Sequence, residues 1–167
     1  AGAMVIVNTV VIVRANYGLG DRELALTLAA YGFGSMLTAL LLPRVLDHVT
    51  DRNVMLSGAV LLIGGMAAGA FLAGLAWAAV LPIWFILGIG NGLVLTPSGR
   101  LLRRSSQPGD RPSLFAAQFA LSHACWLVTY PMAGWLGGTI GNVATFAVLA
   151  VVTALGATFA ALLWPRA

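Results

Sequence analysis

The amino-acid sequence predicts an all-α fold, a polytopic bundle of transmembrane helices, and three observations predict it. Hydrophobic residues make up 60% of the 167 residues and charged residues only 8%, whereas an ordinary soluble domain is about 25% charged. Several runs reach the ~18 apolar residues that mark a spanning helix. The remaining charges are concentrated in short segments between these runs, as expected for loops at a membrane surface. A soluble fold would have too little polar surface to cover so apolar a chain.

One charged segment indicates which side of the membrane the helix ends face. It comprises residues 43–52 (PRVLDHVTDR) and lies between apolar runs at 24–42 and 54–77. Two spanning helices joined by a tight charged turn in the lipid headgroups explain this pattern. The segment is therefore predicted to be an intracellular loop.

Six spans are predicted within a single domain, residues 1–167. The first is short, because its residues cover about 22 Å of a hydrocarbon core roughly 30 Å thick, so we interpret it as part of a longer helix. Pro43 is expected to end the second span, and Thr96 with Pro97 to loosen the inner end of the fourth. The spans are predicted at 1–15, 22–42, 54–77, 78–95, 113–137 and 143–164.

The arginines predict the orientation of these spans. Two lie on one side, Arg14 and Arg22, partly offset by Asp21 and Glu23. Cytoplasmic loops carry the excess of basic residues, so both termini of this segment are predicted to be cytoplasmic, in a multi-pass protein of the cell (inner) membrane. The other side holds Arg44, Arg52, Arg100, Arg103, Arg104, Arg111 and Arg166.

Small and aromatic residues predict how the spans pack. Gly65 and Gly69 form a GxxxG pair, a pattern that permits close helix contact. Trp77 and Trp84 are expected in an interfacial aromatic belt near the outer end of the fourth span. The GIGNG stretch at 88–92 is not a dinucleotide-binding loop, because no strand precedes it and no acidic residue follows about twenty residues later.

Polar side chains within a span are costly and need a partner or a water-filled cavity. The fifth span is the richest, and its polar and aromatic residues indicate a face toward a central cavity or a partner. Hydrogen bonding between helices is the alternative. The residues are Gln118, Ser122, Trp126 and Thr129 on one face, and His123 and Tyr130 on an adjacent strip.

His123 is the one histidine deep within a span. It could carry a proton near neutral pH, or its ring could simply donate to a backbone carbonyl without a transport role. Cys125 lies on another helical face and no carboxylate is near in sequence, so no metal site is predicted. No Asp or Glu lies inside any span, so proton coupling by carboxylates is not expected in this segment.

The charged loop and the order of the spans resemble one half of a major facilitator superfamily transporter. The family's loop signature is G-x-x-x-D-[RK]-x-G-[RK]-[RK], and Asp47, His48 and Arg52 match its acidic, basic and last basic positions. The stretches GIGNGLVLTP, QPGDRPSLFAAQFAL and TYPMAGWLGG resemble further family patterns, including a Pro-x-x-Arg loop that ends at Arg111. The sequence departs from the loop signature at Pro43, Thr50 and Asp51.

The degraded signature, and Trp84 where an arginine would precede the glycine motif, favour the C-terminal six-helix half. The resemblance implies a substrate site between two halves near the midplane. Asn8, Arg14 and Asn91 would then line the cavity, although Arg14 could instead snorkel to the outer interface. Asp47, His48, Arg52 and Arg111 would form a conformational latch, or would merely be headgroup charges.

The resemblance implies a secondary active transporter that moves a small molecule by alternating access. The aromatic lining favours an apolar or weakly polar substrate, with efflux as the favoured direction. No cofactor is implied, and the expected coupling ion, if there is one, is the proton. The expected partners are the lipid bilayer, the substrate and a missing N-terminal half or second copy, but no nucleic acid. An enzyme is not expected, since H-E-x-x-H and G-x-S-x-G motifs are absent; a non-transporting scaffold or sensor is the alternative.

Overall fold

A computed structural model describes residues 1–72 and 76–164. Helices account for the ordered elements of this part of the chain, which contains no strand. An N-terminal helix covers residues 2–16 and includes two π-helical stretches, Met4–Asn8 and Val11–Asn16. Residues 73–75, within the third predicted span, and Arg166, which entered the orientation prediction, lie outside the described residues. Five α-helices follow: α1 (Asp21–Val45), α2 (Asp51–Leu72), α3 (Val80–Arg104), α4 (Arg111–Thr139) and α5 (Gly141–Leu163).

Four of the described helices are long and apolar enough to cross a membrane: α1, α2, α3 with the preceding turn at Trp77–Ala79, and α5. Helix α4 has 29 residues, so its length of about 43 Å also suffices, but polar residues interrupt its apolar sequence. The N-terminal helix is too short. The prediction of an all-helical membrane bundle is therefore confirmed, whereas six spans are not shown.

Two helices extend past the prolines that were expected to limit them. Helix α1 contains Pro43 and ends at Val45, and α3 contains Pro97 and continues to Arg104. A proline inside a membrane helix is tolerated when neighbouring groups satisfy the freed backbone. As a consequence, Arg100, Arg103 and Arg104 belong to α3 rather than to the following loop.

Helix α3 occupies the centre of the packing, between α1 and α2. Its alternating glycines face different neighbours. A Cβ atom at Gly88 would lie 2.1 Å from the Tyr31 carbonyl oxygen of α1, and one at Gly90 would lie 3.0 Å from the Gly58 carbonyl oxygen of α2. The glycines therefore allow two neighbouring backbones to approach α3 closely.

The predicted GxxxG pair of α2 also serves two interfaces. A Cβ atom at Gly65 would meet the Leu87 side chain of α3 at 2.8 Å, whereas one at Gly69 would meet the Phe146 ring of α5 at 2.4 Å. Gly65 and Gly69 thus allow α2 to lie between α3 and α5. In a GxxxG dimer motif, by contrast, both glycines face the same partner helix.

The expectation of an interfacial belt is wrong for Trp84. This side chain is 1% exposed and belongs to the main hydrophobic core. Its ring meets Phe146 edge to face, at a centroid distance of 6.0 Å. Trp77 is half-buried and donates a 3.0 Å hydrogen bond to Thr27 Oγ1 of α1. Trp84 therefore joins helices in the interior.

Candidate functional site

Four rings form a continuous row along α4, which we call the ring row: Phe119, His123, Trp126 and Tyr130. Successive ring centroids lie 3.7, 4.5 and 5.8 Å apart. The sequence spacings of four, three and four residues place side chains on one stripe of a helix. The sequence prediction had put Trp126 and the His123–Tyr130 strip on adjacent faces, and the structure joins them in one row.

Part of the ring row is exposed. Phe119 is 62% exposed and Trp126 is 44% exposed, whereas His123 and Tyr130 are half-buried, and Tyr130 packs against the main hydrophobic core. Helix α4 packs against α5 and the N-terminal helix, with a smaller contact to α3. The exposed rings of Phe119 and Trp126 thus form a surface that a cavity, lipid or another protein segment would meet.

Most polar groups of α4 bond within the helix. Ser122 Oγ donates to the Phe119 carbonyl oxygen at 2.9 Å, and Thr129 Oγ1 donates to that of Cys125 at 2.9 Å. His123 Nδ1 lies 2.8 Å from the same Phe119 oxygen. In the described structure none of the three bonds to another helix.

Two amides that were predicted to line the cavity differ in their surroundings. Asn8 is buried, and its Nδ2 donates to the Ala133 carbonyl oxygen of α4 at 3.1 Å, so it holds the N-terminal helix against α4. Asn91 is half-buried in α3, and no described residue forms a hydrogen bond with its side chain. The side chain of Gln118, on α4, likewise forms no hydrogen bond with a described residue. These last two amides retain hydrogen-bonding capacity for a ligand.

Arg14 lies in the last turn of the N-terminal helix. It is exposed and forms an ion pair with Asp21, at the start of α1. Its role, in a cavity or at the outer interface, stays a prediction. An exposed ion pair of this kind contributes about 0–1 kcal/mol, so Arg14 remains free to change partners.

The charged ends of α2 and α3 contain a buried acid that was not among the predicted site residues. Asp51, the first residue of α2, is 7% exposed. Its carboxylate lies 3.2 Å from Arg104 Nη1 and 3.6 Å from Arg100 Nε, both on α3. The sequence contains an indication of this charged cluster, because Arg100 and Arg104 are four residues apart and therefore lie on one helix face.

The predicted loop residues surround this cluster. Arg52 Nη2 donates to the Ala161 carbonyl oxygen of α5 at 3.0 Å. Asp47, His48 and Arg111 are exposed and form no ion pair with any described residue. An open cleft of about 650 Å³ lies beside the cluster. Its walls are Leu46, Asp47, His48, Val49, Thr50, Asp51, Arg52, Asn53, Arg100, Leu101, Arg104 and Trp164.

The described residues contain no group of three or more His, Cys, Asp or Glu side chains that could hold a metal ion. The candidate site therefore consists of the ring row, which includes one imidazole, and the nearby amide of Gln118 on α4. A separate charged cluster lies where α2 begins and α3 ends. A surface of rings and an amide can bind a small molecule by stacking and a few hydrogen bonds.

Comparison with known proteins identifies the family. The family model described as Major Facilitator Superfamily matches residues 1–167. No curated protein and no solved structure matches the chain. Since the family match covers the whole length and the fold is an apolar helical bundle, this chain belongs to the major facilitator superfamily, a family of membrane transporters.

Proposed function

We propose that this chain is the C-terminal half of a secondary active transporter that exports a small apolar or weakly polar molecule by alternating access. The observation that carries the proposal is the ring row of α4, in which Phe119 and Trp126 are exposed. In transporters built from two related halves, the substrate site lies between the halves near the midplane. A second half facing α4 would enclose the ring row in such a site.

The chemistry of the ring row supports this substrate class. Trp126 and Tyr130 stack with an interplanar angle of 12°, and aromatic faces supply apolar contact area with little loss of side-chain entropy. Gln118 adds a half-buried amide. No carboxylate lies in the middle of a described span, so a strongly cationic substrate would find no counter-charge on this half.

The charged cluster supports a rocking mechanism. Asp51 connects the start of α2 to the end of α3, and Arg52 connects α2 to α5. These contacts would let the cytoplasmic ends of three helices move as one body. Asp47, His48 and Arg111 project from the same side, where they are free to contact another half in one access state and release it in the other.

Efflux of Nile red, a neutral amphipathic dye, tests the proposal in cells that express the protein. Cells preloaded with the dye should lose it faster with the protein than without it. Trp126→Ala should reduce the additional efflux by about tenfold, since stacking on a ring is worth about 1–3 kcal/mol per stacked group. Phe159→Ala is the matched control, because Phe159 is a 66% exposed ring on α5.

An equal loss in the Phe159→Ala variant would indicate that only the amount of folded protein had changed. Correctly inserted protein that neither binds nor moves Nile red would contradict the proposed substrate class. Ethidium serves as the cationic comparison. Failure with both dyes would favour the alternative of a non-transporting scaffold or sensor.

A further inference from the structure

The imidazole of His123 is held in a defined orientation within the ring row. Its Nδ1 lies 2.8 Å from the Phe119 carbonyl oxygen. A carbonyl oxygen only accepts hydrogen bonds, so this contact places the proton of the neutral ring on Nδ1. Nε2 then carries the free lone pair, and no described residue forms a hydrogen bond with it. The ring is oriented so that Nε2 can take up a proton.

Two aromatic rings flank the imidazole of His123 in the ring row. The centroid of Phe119 lies 3.7 Å from that of His123, and the centroid of Trp126 lies at 4.5 Å. A cation within about 6 Å of an aromatic centroid is attracted by the negative face of the ring, and tryptophan is the strongest partner. The ring row thus supports a positive charge without a carboxylate.

No other group in the described spans is suited to binding a proton near neutral pH. All five carboxylates lie at helix ends or in loops: Asp21, Glu23, Asp47, Asp51 and Asp110. Histidine is the side chain whose ordinary pKa places its charge change between pH 5 and 8. The second histidine of the chain, His48, is exposed in a loop.

The helices packed against α4 add few charges that would disturb this group. Helix α5 has no titratable side chain, and the N-terminal helix has only Arg14, at its outer end. The charges of α3 are Arg100, Arg103 and Arg104, in its last two turns. On α4 itself the titratable neighbours are Cys125 and Tyr130, and Tyr31 of α1 interacts with Tyr130.

We propose that His123 is the proton-binding residue that couples substrate movement to a proton gradient, an inference that rests on the proposed function. Nε2 takes a proton from water when the cavity opens to one side of the membrane, and returns it to water on the other. Only the Nε2–H bond forms and breaks. The imidazolium lies against the rings of Phe119 and Trp126 and brings a positive charge into an apolar site. Because this charge makes the site less favourable for an apolar molecule, the proton and the substrate bind in alternation.

Fluorescence of Trp126 tests the titration of His123 independently of transport, because an imidazolium in contact with an indole quenches its emission. The purified protein should lose part of its emission as pH falls from about 8 to 5, the interval over which histidine side chains in general change charge. The transition should be absent in His123→Phe and in Trp126→Phe. It should persist in His48→Gln, which removes the other histidine. A wild-type protein without the transition would overturn the inference.

Dye efflux then tests coupling. Cells that express the wild-type protein and are preloaded with Nile red should export the dye faster when the proton gradient is restored. A protonophore should abolish this stimulated efflux. His123→Phe retains the ring and removes the titration, so the stimulated phase should fall at least tenfold while Nile red binding to the purified variant stays within about twofold. A merely structural role would lower binding and efflux together. His123→Gln provides a second non-titrating variant if His123→Phe does not fold.

The outcomes separate the two proposals. Stimulated efflux that persists in either non-titrating variant would overturn the role of His123 and leave the proposed function standing. A wild-type protein that neither binds nor moves Nile red would overturn the proposed function and the coupling role with it. A pH transition at Trp126 that is lost in His123→Phe, together with loss of stimulated efflux, is the result that supports the inference.

Discussion

Trp84 donates its indole N–H to Thr9 Oγ1 at 2.9 Å, and both residues are 1% exposed. Thr9 Oγ1 in turn donates to the Val5 carbonyl oxygen. The bond ties the N-terminal helix to α3, the helix around which the others pack. It sits beside the edge-to-face contact of Trp84 with Phe146, so one indole connects three helices.

Replacing Trp84 by Phe should lower the free energy of unfolding by about 1–3 kcal/mol, because the ring becomes smaller in a packed core and Thr9 loses its donor. A double-mutant cycle with Thr9→Val isolates the hydrogen bond, for which we expect a coupling of about 0.6 kcal/mol and at most about 1.7. Unfolding in mixed micelles would measure both quantities. Strictly additive effects of the two substitutions would show that the bond contributes nothing.

Gly88→Ala should destabilise the α1–α3 contact strongly. Its Cβ would lie 2.1 Å from the Tyr31 carbonyl oxygen, and since backbone cannot move aside as a flexible side chain can, we expect a cost of about 3 kcal/mol, the upper part of the range for overpacking. Gly64→Ala is the control, because a Cβ there meets nothing within 4 Å. Thermal unfolding of both variants measures the difference, and equal stability would contradict the close contact.

Asp51→Asn should weaken the end of the bundle at which α2 begins and α3 ends. Removing one member of a buried ion pair costs about 3–5 kcal/mol, but the side chains of Arg100 and Arg104 are 37% and 65% exposed, so solvent screening should reduce the loss to about 1–2 kcal/mol. Asp47→Asn, an exposed loop position, should change stability by less than about 0.5 kcal/mol. If the Asp47 variant were the less stable of the two, the buried role of Asp51 would be contradicted.

The predicted orientation can be tested by cysteine labelling in intact cells. In a Cys125→Ser background, a cysteine at Gln107 should resist a membrane-impermeant maleimide, since the arginine-rich loop is predicted to be cytoplasmic. A cysteine at Gly138 should react, because this exposed position has open space around its Cβ. The reverse labelling pattern would invert the predicted orientation.

The ring row illustrates how far sequence reasoning reached. The spacing of Trp126, Tyr130 and His123 predicted a functional face on α4, because helical periodicity is a local property. The spacing did not tell which rings touch, and the side-chain contacts show that these three and Phe119 form one row. Nor could it tell which nitrogen of His123 is protonated, because that follows from the contact with the Phe119 oxygen.

Composition and the length of the apolar runs predicted a helical membrane protein, because a span must satisfy its backbone internally and a run of about 18 apolar residues can do so as a helix. The loop charges likewise predicted a family and an orientation. Only the tertiary structure decided which glycine meets which helix, that Trp84 is interior and not interfacial, and that Asp51 is the buried acid of the charged cluster. These features depend on how helices that are far apart in the sequence are positioned relative to one another. No local pattern of residues encodes that relative position.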